Sequence, residues 1–256
     1  MGWNQAMQYL RANMSREPER VDAGLPLGAR IGSLVSLQQS PLIRAAADGS
    51  LITTPDASEI RILAVSQLQL RQSGGLFRYY LATGDDGADE KFLQVYRSPQ
   101  GEVTEVLYCT QLARVIPETA EDQDAFMGSQ GYGLGDRSYT LWRSQVEGLL
   151  DNADLDNVFG HDHGLDYWRD AGDPQTEFIP PFEGSEVRLD DAQGKQGLRQ
   201  SLYYMPYVRA LRGGGQEYLL ISTELVHSVN GDASKRSIHV DFVVGIPLDL
   251  ERIAIQ

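Results

Sequence analysis

The chain has 256 residues, 41% of them apolar and 9% aromatic, a composition that folds around a substantial core and excludes wholesale disorder. Its formal net charge of −14 disfavours non-specific attraction to DNA, RNA or anionic lipid, so no nucleic-acid partner is expected. The single cysteine, Cys109, excludes an intrachain disulfide and a cysteine-based zinc or iron–sulfur centre within one chain, and it points to a reducing compartment.

Trp3, Met7, Leu10 and Met14 recur at helical spacing and predict a short N-terminal helix, followed by a charged linker as far as Asp22. This stretch lacks the apolar core of a signal peptide, and no segment approaches the ~20 apolar residues that span a bilayer. A cytoplasmic location without a transmembrane segment is expected. Leu42, Ile43, Ala45, Ala46 and Ala47 predict a second short helix, entered at Pro41 and ended by Asp48-Gly49. Residues 51–54 read as a short strand.

From Arg61 to Gln111 the sequence predicts four strands joined by three turns. Phe77, Tyr79 and Leu81 share one face of the second strand, with Leu76, Arg78 and Tyr80 on the other. Gly84-Asp85-Asp86-Gly87 and Pro99-Gln100-Gly101 supply turn residues, and such short connections imply antiparallel pairing. Residues 117–128 predict a short helix with acids in its first turn and Gly128 past its end.

Residues 147–186 are rich in Asp, Asn, Gly and Pro, which argues against any long element. Phe159, Tyr167, Trp168, Phe178 and Phe182 predict that this insert packs onto the body. Strands return over residues 197–211, 217–226 and 236–248, with turn chemistry at Asn230-Gly231-Asp232 and with Pro206 marking an edge or a bulge. In the last of them Ile238, Val240, Phe242 and Val244 form an apolar face expected to pack inward, opposite a partly wet face of His239 and Asp241.

The expected fold is α+β: mainly antiparallel sheet in two meanders, with a few short helices and a long irregular insert. An arm over residues 1–22 precedes one domain over 23–256. The Tyr-Tyr strands at Tyr79-Tyr80 and Tyr203-Tyr204 suggest two related halves, about 23–128 and 129–256, with a groove between their sheets.

Chemistry-bearing residues are few. His161, His163 and Asp166 form the most ligand-like run, because imidazoles two residues apart on an extended segment project to one side and suit a divalent metal. An exposed polar turn is the plainer account of the same run. His239 and Asp241 share a strand face and can form an acid–base pair or complete a site with His227, although solvent-facing polar positions are commoner. Cys109 reads as a buried, inert thiol. Gly131–Gly135 lacks the spacing and the lysine of a phosphate-binding loop and reads as a connection.

The stretches GLPLGARIGSLVSL, FRYYLATGDDGADEKFLQVYRS and YLLISTELV…IHVDFVVGIPLDL resemble the YjfK-like family of uncharacterised bacterial proteins, a domain of unknown function. The resemblance runs from about Leu25 to the C-terminus. It implies a bacterial protein with no established activity, cofactor or catalytic residue, and a peripheral association with the cell envelope. The leading expectation is a non-enzymatic binding or assembly module with a protein partner. A metal-dependent enzyme, such as a hydrolase using His161, His163 and Asp166, comes second, and a structural homo-oligomer subunit third. No cofactor is required by the sequence, a divalent metal being the one candidate.

Overall fold

In a computed structural model of the chain, residues 20–71, 74–83, 90–148, 150–226 and 237–256 are described. The expected helix at Trp3–Met14, the turns at Gly84–Gly87 and Asn230–Asp232, and His227 lie outside them.

Alternating side chains and short turns fold the first half into a meander of β2 (Glu59–Leu70), β3 (Gly75–Leu81), β4 (Lys91–Arg97) and β5 (Val103–Val115). A second run follows the same logic: β8 (Phe182–Leu189), β9 (Gly197–Ala210), β10 (Gln216–Val226) and β11 (Ser237–Pro247). A free meander leaves two rows of backbone N–H and C=O groups unpaired at its edges. Here the two runs pair with each other twice, β5 with β11 and β8 with β2. The result is a closed eight-stranded antiparallel barrel in the order β2-β3-β4-β5-β11-β10-β9-β8 and back to β2.

This overturns the expected α+β arrangement of two meanders with a groove between them. The runs share one closed sheet, and helix among the described residues is confined to three eight-residue α-helices and short 3-10 turns. The helices are α1 (Ser40–Ala47), α2 (Ala120–Met127) and α3 (Asn152–Phe159). Local capping explains where they stand. Pro41 sits in the first turn of α1; Thr119 accepts from the Asp122 N–H at the start of α2; Asp151 accepts from the Asp154 N–H at the start of α3. Residues 51–54 form no strand, although Leu51 and Ile52 are buried.

The closing strand is β8, which begins inside the segment read as an irregular insert and runs three residues past its end. It pairs with β2 from Val65↔Leu189 to Leu70↔Gly184 and with β9 from Phe182↔Tyr204 to Leu189↔Gly197. Gly184 is necessary to this seam. A Cβ there would penetrate the Gln69 carbonyl oxygen and press on Leu70.

Beyond β8 the two flanking strands diverge and take other neighbours. β1 (Leu34–Leu37) pairs the first residues of β2, with β12 (Ile253–Ile255) outside it. β7 (Gly164–Arg169) pairs the last part of β9, with β6 (Ser138–Trp142) outside it. Pro206 stands where β9 exchanges β8 for β7. Its carbonyl, accepting from the Asp170 N–H at 2.9 Å, faces that fork rather than β10, so the missing proline N–H leaves the β10 ladder intact.

The wall separates two apolar populations. Tyr79, Leu93, Tyr108, Ile221, Phe242 and Val244 face out from the barrel and are buried beneath α1, α3, β7 and the connecting segments. Ala64, Leu68, Leu76, Phe92, Leu107, Leu202 and Leu220 face the lumen and fill part of it. The face of β11 bearing Val240, Phe242 and Val244 therefore packs into a core outside the barrel, and His239 and Asp241 enter the lumen.

Two buried charges pin the covering segments to the wall. Glu217, wholly buried on the outer face, accepts from Ser50 Oγ, from the Leu51 N–H at 2.7 Å, from Tyr167 Oη at 2.7 Å and from Arg209 Nε at 2.8 Å. The Arg169 guanidinium donates to the carbonyls of Gly135, Ala171, Asp173, Thr176 and Glu177, fixing the insert in place. No buried side-chain polar atom of the Glu217 cluster lacks a partner among the described residues, which marks the cluster as structural.

Removing one partner of such a cluster strands a buried charge. Glu217→Ala is expected to cost about 3–5 kcal/mol in denaturant unfolding. At the seam, Gly184→Val is expected to destabilise by about 1–3 kcal/mol through overpacking against β2, with a lower urea midpoint as the readout.

Candidate functional site

Alternation along each strand decides which side chains enter the barrel, and one bulge changes the outcome on β5. Pairing with β11 slips between Phe242↔Ala113 and Val243↔Gln111, leaving Leu112 as the extra residue. Leu112 turns into the outer core, and Gln111 and Arg114, three residues apart, both point into the lumen. They converge on Asp241. Gln111 Nε2 donates to its Oδ1 at 3.0 Å, and Arg114 makes a bidentate pair through Nε at 2.6 Å and Nη2 at 2.7 Å.

The lumen holds a cavity of about 130 Å³. Its walls include Arg78 of β3, Glu186 and Arg188 of β8, Gln200 of β9, Glu224 of β10 and His239 and Asp241 of β11. It lies towards the end of the barrel where β3 leads towards β4, β8 towards β9 and β10 towards β11, since Glu90, Arg188, Leu198 and Val226 line it there. Leu68, Leu76, Leu107, Leu202 and Leu220, with Tyr96, Phe182 and Tyr218, fill the opposite end.

Arg78 is the centre of the polar layer and only 3% exposed. Its Nε donates to Gln94 Oε1 at 3.3 Å, its guanidinium lies 5.2 Å from the Phe92 ring centre, and its Nη1 stands 3.7 Å from Glu186 and 3.9 Å from Glu224. Nη2 has no hydrogen-bond partner among the described residues. Glu186 is better satisfied, by Tyr80 Oη at 3.1 Å and Gln200 Nε2 at 2.8 Å. Among the described residues Gln200 Oε1 and His239 Nδ1 also have no hydrogen-bond partner, nor does Ser66 Oγ beside Arg78. A buried orphan polar atom costs about 1–3 kcal/mol, so a native lumen with several is built for something other than packing.

Glu224 is the least settled acid. Its shortest contacts are Ser222 Oγ at 3.5 Å and the Arg78 and Arg114 guanidiniums at 3.9 Å. Burial pushes its carboxyl up to about 8, and the neighbouring Asp241 and Glu186 carboxylates push the same way against Arg78 and Arg114.

The residues singled out in the sequence for chemistry fall elsewhere, with one exception. His161, His163 and Asp166 are exposed, His161 in the turn after α3 and Asp166 on β7, where its Oδ1 accepts from Thr140 Oγ1 at 2.6 Å. Among the described residues no three His, Cys, Asp or Glu side chains gather to hold a metal ion. Cys109 is fully buried in the lumen wall, and burial pushes its thiol up. Tyr80 and Tyr204 contribute hydroxyls to the polar layer, Tyr204 accepting from Gln94 Nε2 at 3.2 Å. Gly131–Gly135 is a connection in which the Gly135 N–H donates to Tyr207 Oη at 2.9 Å. The exception is the pair His239 and Asp241, which share the cavity wall. Arg78, Glu186, Gln200 and Glu224 were not singled out. The signal available for Arg78 is its place in GLFRYYL, where a lone charge interrupts a strand whose two faces are otherwise apolar.

Glu224 binds its proton more tightly in the folded chain than in the unfolded one. Its contribution to stability is therefore full below about 4.5 and is lost as pH rises through about 8. Glu224→Gln removes that loss. The variant is expected to gain stability relative to the native chain across this window and to hold a constant advantage above it, measured by urea unfolding at successive pH values.

No helix among the described residues is long and apolar enough to cross a membrane. Neither the curated proteins nor the solved structures compared with the chain contain a match. The YjfK-like name suggested by the resemblance is not carried by the family comparison, which matches residues 7–254 to a model described as "Protein of unknown function (DUF2491)". With that model spanning nearly the whole chain, the protein belongs to the DUF2491 family.

Proposed function

We propose that this protein is a non-enzymatic binding module whose receptor site is the polar cavity in the barrel lumen. The observation that carries this reading is Arg78, a charge held inside a closed barrel with its Nη2 unpaired among the described residues. Small eight-stranded barrels are either filled by their side chains or hold one small ligand. This lumen is filled at one end only, and unpaired polar atoms line the part that remains. A cavity of ~150 Å³ accepts a molecule the size of benzene, so a solute of a few heavy atoms suits the space.

Ligand-dependent thermal unfolding tests the reading with a panel of small anionic, neutral and cationic solutes. A solute at a hundred times its Kd stabilises by about 2.7 kcal/mol, roughly 5–10 °C for a chain of this length. Leu198→Trp, which fills the cavity from its wall and leaves every charge in place, is expected to abolish the shift. A panel without any stabilising member, or a shift that survives Leu198→Trp, overturns the proposal.

A further inference from the structure

We infer that the solute this lumen receives is a small primary ammonium compound, held by Glu224, Gln200 and His239 in exchange for a proton. The inference rests on the receptor reading above and names its ligand class.

Charge comes first. Arg188 pairs with Glu90 and Asp190 at the end of the cavity where β8 leads towards β9, and Arg114 pairs bidentately with Asp241. Arg78 remains to balance both Glu186 and Glu224, at 3.7 and 3.9 Å. With every group ionised, the inner lumen holds one carboxylate more than it holds guanidiniums. With the Glu224 proton on, the inner lumen is neutral; a bound anion would then leave an uncompensated negative charge in a medium of low dielectric, whereas a cation is compensated when Glu224 ionises.

Hydrogen-bonding capacity points the same way. Glu224 has no hydrogen bond shorter than the 3.5 Å contact with Ser222, and Gln200 Oε1 has none among the described residues. His239 Nε2 pairs with Ser237 Oγ at 2.9 Å, and in the tautomer that donates to this hydroxyl the unpartnered Nδ1 is an acceptor. Three acceptors on three adjacent strands, β9, β10 and β11, thus await donors, and an ammonium group supplies three. The unpaired donor of the cavity wall, Arg78 Nη2, calls for an oxygen on the same solute. Gln200 is 5% exposed and Arg78 3%, so both are held in place by the barrel rather than by solvent.

The groups facing Glu224 are Arg78 from β3, Arg114 from β5, Glu186 from β8, and His239 and Asp241 from β11. Their balance, with burial, keeps the Glu224 proton on at neutral pH. An ammonium ion beside the carboxyl favours its ionised form. Binding then follows R–NH3⁺ plus protonated Glu224 giving the ion pair plus one H⁺, with no redox partner or bond exchange. Affinity is expected to rise up to about tenfold per pH unit below the Glu224 range and to level above it.

Titration calorimetry at neutral pH tests this with ethanolamine, ethylamine, sodium acetate and glycerol, each in phosphate and in MOPS buffer. The buffers differ in ionisation enthalpy, so the difference between them counts protons released. Ethanolamine is expected to bind with a net release of protons and more tightly than ethylamine, which lacks an oxygen for Arg78. Glu224→Gln is expected to weaken it at least tenfold and to abolish the proton release, and Leu198→Trp to abolish binding. If acetate or glycerol binds and neither amine does, the ammonium inference falls and the receptor reading stands. If none of the four binds, both fall. Ethanolamine binding that is unaffected by Glu224→Gln, or that releases no proton, also overturns the inference.

Discussion

The backbone pairing of β8 with two strands at once is the constraint on which the molecule depends. Without it, β2 and β9 are edges, and the meanders that contain them are open sheets with polar backbone exposed along their length. With it, every position along the wall acquires an inside and an outside. The large apolar side chains of the outer face then gather beneath α1, α3 and β7, and the inner face becomes a small compartment in which charge is sheltered from water. A charge in such a compartment interacts far more strongly with its neighbours than the same charge on a surface.

Two buried acid clusters show what that shelter does. Glu217, outside the wall, meets enough donors to satisfy both carboxylate oxygens and joins loop, strand and barrel into one body. Glu224, inside the wall, has long contacts and like-charged neighbours. The two residues lie on the same strand, seven positions apart, so they face opposite sides of the sheet. One strand thus carries a structural carboxylate and a chemically poised one, and what distinguishes them is the number of donors each can reach. The bulge at Leu112 works in the same sense, because it brings Gln111 and Arg114 together on Asp241 and leaves Glu224 without a close partner.

Features that depend on a few neighbouring residues are legible in the chain. The helices around Leu42 and Gln123 follow from Pro41, Thr119 and Gly128, and the meander strands follow from alternation and turn residues. Closure is not legible, since it is a pairing between β2 and β8, segments far apart in sequence. β8 also hides well. Phe182, Gly184, Glu186 and Arg188 face the lumen, so neither face of FEGSEVRL carries an apolar stripe. The same inversion explains the reading of β11, whose apolar face seeks a core outside the barrel. His161, His163 and Asp166 stand out because they are close in sequence, whereas Arg78 joins Gln200 and Glu224 only after β3 and the distant β9 and β10 have been brought into one barrel.

The order in which β8 is made has its own consequence for the growing chain. β2 to β5 emerge from the ribosome well before Phe182, and their two outer strands must wait for β8 and β11 to arrive. Non-local pairing of this kind is slow, because loop-closure entropy is spent before the contacts that reward it. During synthesis the first meander therefore presents unpaired edges and an uncovered apolar face, which is the hazard that holdase chaperones meet. The placement of one polar, glycine-bearing strand late in the chain keeps those edges unpaired for longer than in a fold closed by its first hundred residues.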